Sequence, residues 1–305
     1  MSQTWLWVLF VVGVAAMLGV DLGLLGGRAR KPSMREAAAW SAAWIGLALA
    51  FGGAIWALQG PERAMLYLTG YVLEKSLSVD NLFVFLIIFR FFSIGDEHQS
   101  RVLHWGILGA IVMRFVFIYA GVSLIRRSHW VLAFFGAVLL WTGGRMLLSG
   151  ERKHEPRKHP ALRLLHKIVP VTEGLHGDSF FTRIDGAWNA TPLFAALVVI
   201  EASDLVFAAD SIPAALAVTP DLFLVYTSNI FAVMGLRALY FLLESSLSEF
   251  RHLKTGISLA LLYVGAKLLV QPWLEIPAGW SLAVIAAVIG LSIAASLAGS
   301  KPRRA

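Results

Sequence analysis

The chain has 305 residues, of which 58% are hydrophobic and 15% are charged. With a mean hydropathy of +0.71, it is far more apolar than a soluble domain of its length and is expected to lie in a bilayer. The formal net charge of +7 does not indicate a nucleic-acid partner, because most Lys and Arg residues cluster in particular loops. The chain has no Cys, which excludes disulfides, thiolate metal sites and thiol redox chemistry.

About nine apolar runs are long enough to be transmembrane helices, which predicts an all-α, polytopic membrane protein. The N-terminus lacks a basic region and a small-residue cleavage signal, so the first run is predicted to be a retained span. The predicted spans are Thr4–Leu25, Ala37–Leu58, Leu66–Ile88, Leu103–Ile125, Val131–Leu148, Leu193–Val218, Leu222–Leu243, Gly256–Val270 and Trp280–Leu297.

The order of these runs divides the chain into five predicted parts. A basic segment rather than an apolar run separates two groups of three spans, and we interpret it as a cytoplasmic loop. The parts are two helices in residues 1–65, a first three-helix unit in 66–149, the basic loop in 150–191, a second three-helix unit in 192–271, and a last helix with a basic tail in 272–305.

The two three-helix units resemble each other in sequence, with charged or polar residues at matching places. The corresponding pairs are Glu74 with Asp204, Asp80 with Asp210, Asn81 with Ser211, Arg114 with Arg237, and Arg145 with Lys267. In a nine-span chain the third and sixth spans run in opposite directions. The units are therefore predicted to form an inverted repeat, an architecture of transporters whose substrate site lies near the membrane midplane.

The distribution of Lys and Arg predicts the orientation of the chain. Eighteen of them fall in one set of alternate loops, and only Arg63, Arg126 and Arg127 fall in the other. Because basic residues are enriched in cytoplasmic loops, the N-terminus is predicted to lie outside the cell and the C-terminus in the cytoplasm.

The stretch IEASDLVFAADSIP, from Ile200 to Pro213, carries three carboxylates within an apolar run. A charged side chain near the middle of a span costs a few kcal/mol and is normally paired or faces a cavity. Pro213 removes a backbone donor near Asp210, which predicts a kinked or broken helix whose carbonyl oxygens point inward. All eight His residues lie in loops or at the edges of the apolar runs, so an intramembrane metal site is expected to use oxygen ligands, as Mg²⁺, Ca²⁺ and Mn²⁺ prefer.

Asp80 and Asp210, one from each unit, are the strongest candidates for a cation site. Six residues span about 9 Å of a regular helix, so Glu74 and Asp80 are not expected to bind one ion together. Glu74 and Asp204 are then expected to form a relay position or to hold counterions. The complete set of candidate metal-binding residues is Asp80, Asp210, Glu74, Asp204, Asn81, Ser211, Glu201 and Asn229.

Five basic residues also lie within the predicted spans. Lys75 follows Glu74 directly, is expected to point away from it, and has no assigned role. The others are interpreted as partners that pair with and orient the carboxylates, although a purely structural role in holding the bundle together stays open. These residues are Arg114, Arg237, Arg145 and Lys267.

Three motifs closely resemble the TerC family of integral membrane proteins, and in particular its Alx branch. They are EKSLSVDNLFVF, ATPLFAALVVIEASDLVFAADSIPA and YTSNIFAVMGLRALYFLL, within a likeness that runs from about Asp21 to Lys267. The family's name comes from tellurium resistance, and some descriptions of this branch name a redox modulator. The resemblance implies Mn²⁺ export across the inner membrane of a bacterium. It carries the family's acidic motif positions over to Glu74, Asp80, Asp204 and Asp210.

The residues and the resemblance together predict a transporter that exports Mn²⁺ by alternating access, in exchange for protons. Mn²⁺ is then the transported ion and not a fixed cofactor. The expected partners are membrane lipid, the divalent ion and protons, with further protein partners unknown. No GxGD or HExxH motif lies in the spans, so no catalytic residue is predicted. The alternative is a membrane partner protein that supports metalation of secreted proteins, or tellurite or stress resistance.

Overall fold

The computed structural model shows a helical membrane protein. It describes residues 3–20, 33–128, 130–148, 162, 164–165, 167, 169–184, 186–244, 252–270, 273–274 and 276–299. Within them, the backbone alone is described at 3, 20, 79, 80, 83, 132, 209, 210, 243, 244, 253, 254, 278, 297 and 299. Asp21, where the family resemblance begins, lies outside these ranges.

Ten helices and a two-stranded hairpin are described within those ranges. The helices are α1 (Gln3–Val20), α2 (Met34–Gln59), α3 (Pro61–Phe91), α4 (Asp96–Arg127), α5 (Trp130–Leu148), α6 (Pro192–Val218), α7 (Leu222–Val233), α8 (Leu236–Glu244), α9 (Leu253–Val270) and α10 (Ala278–Gly299). The strands are β1 (Phe181–Ile184) and β2 (Ala187–Ala190). A helix lies at each of the nine predicted spans, and the seventh span is divided into α7 and α8.

Not every helix is long and apolar enough to cross a membrane by itself. The two halves of α6, Pro192–Ala208 and Ser211–Val218, form a bent pair that would add a span if it crosses as one. The count of nine crossings therefore stays a prediction. Four stretches of the described chain meet both conditions: Met34–Gln59, Asp96–Arg127, Gly279–Ser296, and Leu222–Leu242, in which α7 and α8 count as one span.

Helices from the two predicted units pack across one another. The first helix of each unit packs against the second helix of the other, so that α3 contacts α7 and α4 contacts α6, while α5 packs along α9. This exchange of partners is the pattern expected of two units related by a two-fold axis, although the inverted repeat itself stays a prediction from the sequence.

The α5–α9 contact depends on glycines at corresponding positions. A Cβ atom on Gly265 would lie 2.9 Å from the carbonyl oxygen of Gly136, and one on Gly143 would lie 3.0 Å from that of Ser258. Because glycine has no Cβ, the two backbones approach closely, as small residues allow between membrane helices.

Two helices depart from regular geometry in the second unit. The two halves of α6 meet at 40°, which is the kink predicted from Pro213, whose ring cannot donate to the carbonyl four residues earlier. The break between α7 and α8 falls at Gly235, whose φ of +79° is rarely adopted by other residues. A Cβ there would lie 2.8 Å from atoms of Trp44.

The largest apolar core lies among α1, α2, α3, α4, α6, α7 and α8. Aromatic rings fill it, with Phe51 5.0 Å from Phe231 and 5.6 Å from Tyr67 between ring centroids. A second cluster joins α5, α9 and α10 to α3 and α6.

The segment predicted as a basic loop contains folded structure. β1 and β2 pair antiparallel, with Arg183 opposite Trp188, and Phe181 packs 4.4 Å from Phe194 in the first turn of α6. Asp178 accepts a hydrogen bond of 2.6 Å from His98 at the start of α4. The hairpin end of this segment is thus fixed to the helices, whereas residues 150–161 lie outside the described ranges.

The ends of α3 and α7 lie on the same side of the bundle. Arg63, in the first turn of α3, forms an ion pair with Asp221. Oδ1 of Asp221 also caps α7 by accepting from the backbone N–H groups of Phe223 and Leu224 at 2.9 and 3.2 Å. If the chain crosses the membrane once at each predicted span, the loop before α3 and the loop before α7 lie on the same side of the membrane.

Candidate functional site

A buried ion-pair cluster lies where α3, α4, α6 and α7 meet. Arg114 of α4 is its centre and forms ion pairs with Glu74 of α3 and Asp204 of α6. Its Nε and Nη2 donate to the two carboxylate oxygens of Asp204 at 3.3 and 3.1 Å. Its Nη1 donates to Oε1 of Glu74 and, at 3.1 Å, to Oδ1 of Asn229 on α7. We refer to these four residues as the Arg114 cluster.

The Arg114 cluster is shielded from the surroundings of the protein. Arg114 and Glu74 are each 1% exposed, Asp204 is 5% exposed, and Asn229 is fully buried. The cluster forms because α4 packs on α6 while α3 packs on α7, which brings the corresponding acids of the two units to one guanidinium. Two carboxylates share one positive charge, so the cluster retains a net charge of −1 when both are ionised.

A small cavity with a mostly apolar wall adjoins Glu74. Its volume is about 50 Å³, and since 10–15 Å³ of such space is enough for one water, it has room for more than one water-sized group. Its polar lining comes from Glu74, Asn81, Thr142 and Ser211. Apolar side chains complete the wall: Leu77, Met146, Phe207, Ile257 and Leu261.

Two residues that line this cavity each have a polar atom with unmet hydrogen-bonding capacity. Oε2 of Glu74 and Oγ of Ser211 are buried and have no hydrogen-bond partner among the described residues. The amide Nδ2 of Asn229 in the Arg114 cluster is in the same situation. Buried polar groups are nearly always hydrogen-bonded, so unpartnered oxygens beside a cavity indicate room for a polar ligand or an ion.

Asp80 and Asp210 lie on α3 and α6, in helical backbone, but their side chains lie outside the described part of the structure. Asn81 and Ser211, the residues that follow them, both line the cavity. Where the carboxylates of Asp80 and Asp210 point therefore stays a prediction. Among the described side chains, no group of three or more His, Asp or Glu residues could hold a metal ion.

Glu201 lies one helical turn before Asp204 on α6 and is partly buried. Its carboxylate lies directly over Gly109 of α4, where any Cβ atom would clash with it. A glycine at this position is required for that approach. Glu201 therefore lies at the α4–α6 contact and is not among the described residues that line the cavity.

Lys75 has a clear structural partner that the sequence analysis did not assign. Its Nζ donates to the carbonyl oxygens of Ala232 at 3.1 Å and Met234 at 3.4 Å. These carbonyls lie at the C-terminal end of α7, where the helix stops and intrahelical donors are missing. Lys75 therefore stabilises the break between α7 and α8, and it points away from Glu74 as expected.

The other predicted bases lie away from the Arg114 cluster. Arg237 follows the α7–α8 break and is hydrogen-bonded to Nε2 of His104 on α4. Lys267 donates to Oγ of Ser281 on α10 at 2.9 Å. Arg145 lies on the exposed face of α5 and has no ion-pair partner in the part of the chain that the structure describes.

Two residues at these sites were not singled out from the sequence. His104 lies at the edge of its predicted span but is 8% exposed, and its Nδ1 lies 2.8 Å from the carbonyl oxygen of Ser100. Donation by Nδ1–H would allow Nε2 to accept from Arg237. Thr142 lines the cavity from α5. A Thr in an apolar run gives no distinctive signal, whereas a His at the start of a predicted span is a visible one.

Comparison with protein families agrees with the sequence motifs. Residues 59–304, which include every helix from α3 to α10, match the family described as "Integral membrane protein TerC family". The chain belongs to the TerC family. The resemblance inferred from the motifs is thereby confirmed.

Relatives of the chain cover nearly its whole length. It is 45% identical over 296 residues to "Uncharacterized membrane protein STKORF319" of Myxococcus xanthus, covering 97% of this chain and 93% of that protein. It is 44% identical over 294 residues to "Putative membrane-bound redox modulator Alx" of Escherichia coli strain K12, covering 93% and 91%. It is 38% identical over 291 residues to "Uncharacterized membrane protein" of Rickettsia felis, covering 95% and 97%. No solved structure matches the chain.

Proposed function

We propose that this TerC-family protein is a carrier that exports Mn²⁺ from the bacterial cytoplasm across the inner membrane. The observation that carries the proposal is the cavity beside Glu74, a buried carboxylate with one oxygen unpartnered. An ionisable side chain facing a cavity among membrane helices is expensive to maintain and is typical of an ion pathway.

The chemistry of the cavity wall supports a hard divalent cation. The wall offers a carboxylate from Glu74, an amide from Asn81, and hydroxyls from Thr142 and Ser211. Carboxylate, carbonyl and hydroxyl oxygens suit Mg²⁺, Ca²⁺ and Mn²⁺, and the chain has no Cys to favour softer metals.

We further propose that Asp80 and Asp210 complete the ion site. Each directly precedes a residue of the cavity wall, Asn81 and Ser211 respectively, and each comes from a different unit. The kink of α6 near Asp210 would add backbone carbonyl oxygens, as discontinuous helices do in other transporters. Asp204 and Asn229 then hold Arg114 rather than the ion.

Protons are the proposed counter-ions. A metal ion binds the deprotonated form of a carboxylate, so a proton and Mn²⁺ compete for the same oxygen atoms. Protonation from outside would release Mn²⁺ there, and deprotonation in the cytoplasm would restore the site. The proton gradient across the inner membrane, with the higher proton concentration outside, would set the direction of this exchange.

The test is Mn²⁺ flux in proteoliposomes that contain only this protein, with and without a pH gradient. Wild-type protein is compared with Asp80→Asn and Asp210→Asn, which remove charge with little change in shape. Flux that needs both Asp residues and responds to the gradient is the expected result. If well-folded protein shows no flux, transport by this chain alone is wrong, and the partner-protein alternative is favoured.

The names of some relatives refer to redox modulation. A thiol mechanism in this chain is excluded because the chain has no Cys. A change in redox state of cells that express it would then follow from altered metal content, which total cellular manganese measured by mass spectrometry would show.

A further inference from the structure

We propose that Arg114 is a tethered cation that occupies the acid pair in the metal-free protein, and that an incoming divalent cation competes with it for Glu74. This inference rests on the proposed function, because it names how the ion site is held when no cargo is bound. It assigns Arg114 a positioning role, since the guanidinium acts through the carboxylates.

The geometry of Arg114 fits a counter-ion that is held firmly in place. All three of its nitrogens donate, in a two-point contact with Asp204 and single contacts with Glu74 and Asn229. A guanidinium keeps its proton at every physiological pH, unlike a Lys ammonium. The positive charge therefore stays in the bundle throughout any transport cycle.

Glu74 is the residue through which Arg114 and the cavity are connected. Its Oε1 is bound by Arg114, while its Oε2 has no partner among the described residues and Glu74 lines the cavity. A divalent cation on Oε2 and a guanidinium on Oε1 would repel each other across a single carboxylate. Binding of the ion is therefore expected to weaken or displace the Arg114–Glu74 contact.

Asp204 can keep Arg114 paired when the contact between Arg114 and Glu74 is lost. Two of the three donating nitrogens already bind Asp204, and Asn229 accepts from the third. Arg114 can leave Glu74 without becoming unpaired. Conversely, when the ion departs, the return of Arg114 neutralises a buried carboxylate that would otherwise be costly to leave alone.

This competition predicts opposite effects on affinity and on turnover. Without Arg114, Mn²⁺ should bind more tightly because nothing competes for Glu74. Release should become slower, since no cation replaces the departing ion. In proteoliposomes, Arg114→Gln is therefore expected to lower both the KM and the maximal rate of Mn²⁺ transport, a combination that simple damage to the fold does not produce.

The direct test is a titration of purified protein with Mn²⁺, followed by the electron paramagnetic resonance signal of the free aqueous ion. Arg114→Gln is expected to bind Mn²⁺ about tenfold or more tightly than wild type, since loss of a charge a few ångströms away changes binding by at least that factor. Arg63→Gln is the matched control, because it also removes Arg from an Arg–Asp ion pair but at the end of α3. Its affinity should match that of wild type.

A second variant, and a measurement of thermal stability, test the proposal even if Arg114→Gln folds poorly. Arg114→Lys keeps the charge but loses the planar fork that binds both oxygens of Asp204, so it should bind Mn²⁺ more tightly than wild type and less tightly than Arg114→Gln. The thermal midpoint of either variant should be lower than that of wild type without metal. It should rise more than that of wild type when Mn²⁺ is added, because tighter binding stabilises more.

Two negative results have different meanings. If wild-type protein binds Mn²⁺ and both folded Arg114 variants bind it equally or more weakly, Arg114 is structural and the competition is wrong while the proposed transport stands. If neither wild type nor variants bind Mn²⁺, the proposed function is wrong and the competition falls with it.

Discussion

The two three-helix units carry similar charges at corresponding positions but use them differently. In the first unit, Arg114 lies on an unbroken helix and binds the acids of both units. In the second, the corresponding Arg237 follows a helix break and packs on His104. Matching charges in sequence therefore do not imply matching partners.

Two positions at which the units differ account for much of this asymmetry. Lys75, which binds the carbonyls at the α7 break, corresponds to Leu205, which cannot donate. Gly235, which adopts positive φ at the break, corresponds to Val112, whose β-branched side chain opposes that conformation. The α7–α8 break thus has a residue that adopts positive φ and a charged donor beside it. The corresponding position in α4 has Val112 in place of the glycine, and the corresponding position in α6 has Leu205 in place of the donor.

The largest expected effect on stability comes from removing Arg114, the base that binds an acid of each unit. Arg114→Met would leave two buried carboxylates without a counter-ion, and breaking a buried pair in this way costs about 3–5 kcal/mol. Arg237→Met should cost less if the asymmetry described above is correct. Thermal unfolding of the two variants in detergent, without added metal, measures the difference; equal losses would contradict the unequal roles.

The next largest loss of stability is expected when Gly235, at the α7–α8 break, is replaced by the valine found at the corresponding position, Val112. Gly235→Val places a β-branched residue at φ +79°, for which strain of about 1–3 kcal/mol is typical, and sets its Cβ against Trp44. The reciprocal Val112→Gly affects an exposed position in α4 and should cost less than about 1 kcal/mol, because valine is itself a weaker helix former than alanine. Thermal midpoints compare the pair, and a tolerated Gly235→Val would show that the break is not required.

Lys75→Leu introduces the residue found at the corresponding position of the second unit, Leu205. The carbonyls of Ala232 and Met234 would lose a charged donor, and hydrogen bonds to charged groups contribute about 1.5–3 kcal/mol. Hydrogen exchange of the amides in α7 and α8 should become faster near residue 235, whereas exchange in α4 should be unchanged. Faster exchange throughout the protein would instead point to general destabilisation.

The smallest expected effect concerns a contact that the two units share symmetrically. Gly143→Ala would place a methyl group 3.0 Å from the carbonyl oxygen of Ser258, whereas nothing lies within 4 Å of a Cβ on the neighbouring Gly144. Overpacking of this kind costs about 1–3 kcal/mol, with the lower end expected for one methyl. Gly144→Ala is the matched control in the same thermal assay, and the α5–α9 interpretation fails if the two variants behave alike.

Sequence by itself determined the class of the protein and the residues worth following. Long apolar runs require helices in a membrane because backbone polar groups have no other partners there. Charges within those runs identified Glu74, Arg114 and Asp204 without any coordinates. Pro213 predicted the kink in α6, because a missing N–H is a local property of the chain.

Tertiary structure decided which charges meet. No spacing along the chain shows that one guanidinium binds acids 40 residues before it and 90 residues after it, since that depends on how α3, α4 and α6 pack. The same holds for Lys75, whose carbonyl partners lie more than 150 residues away. The hairpin inside the predicted basic loop was missed because its short strands carry little periodic signal, and its position is set by contacts with α4 and α6.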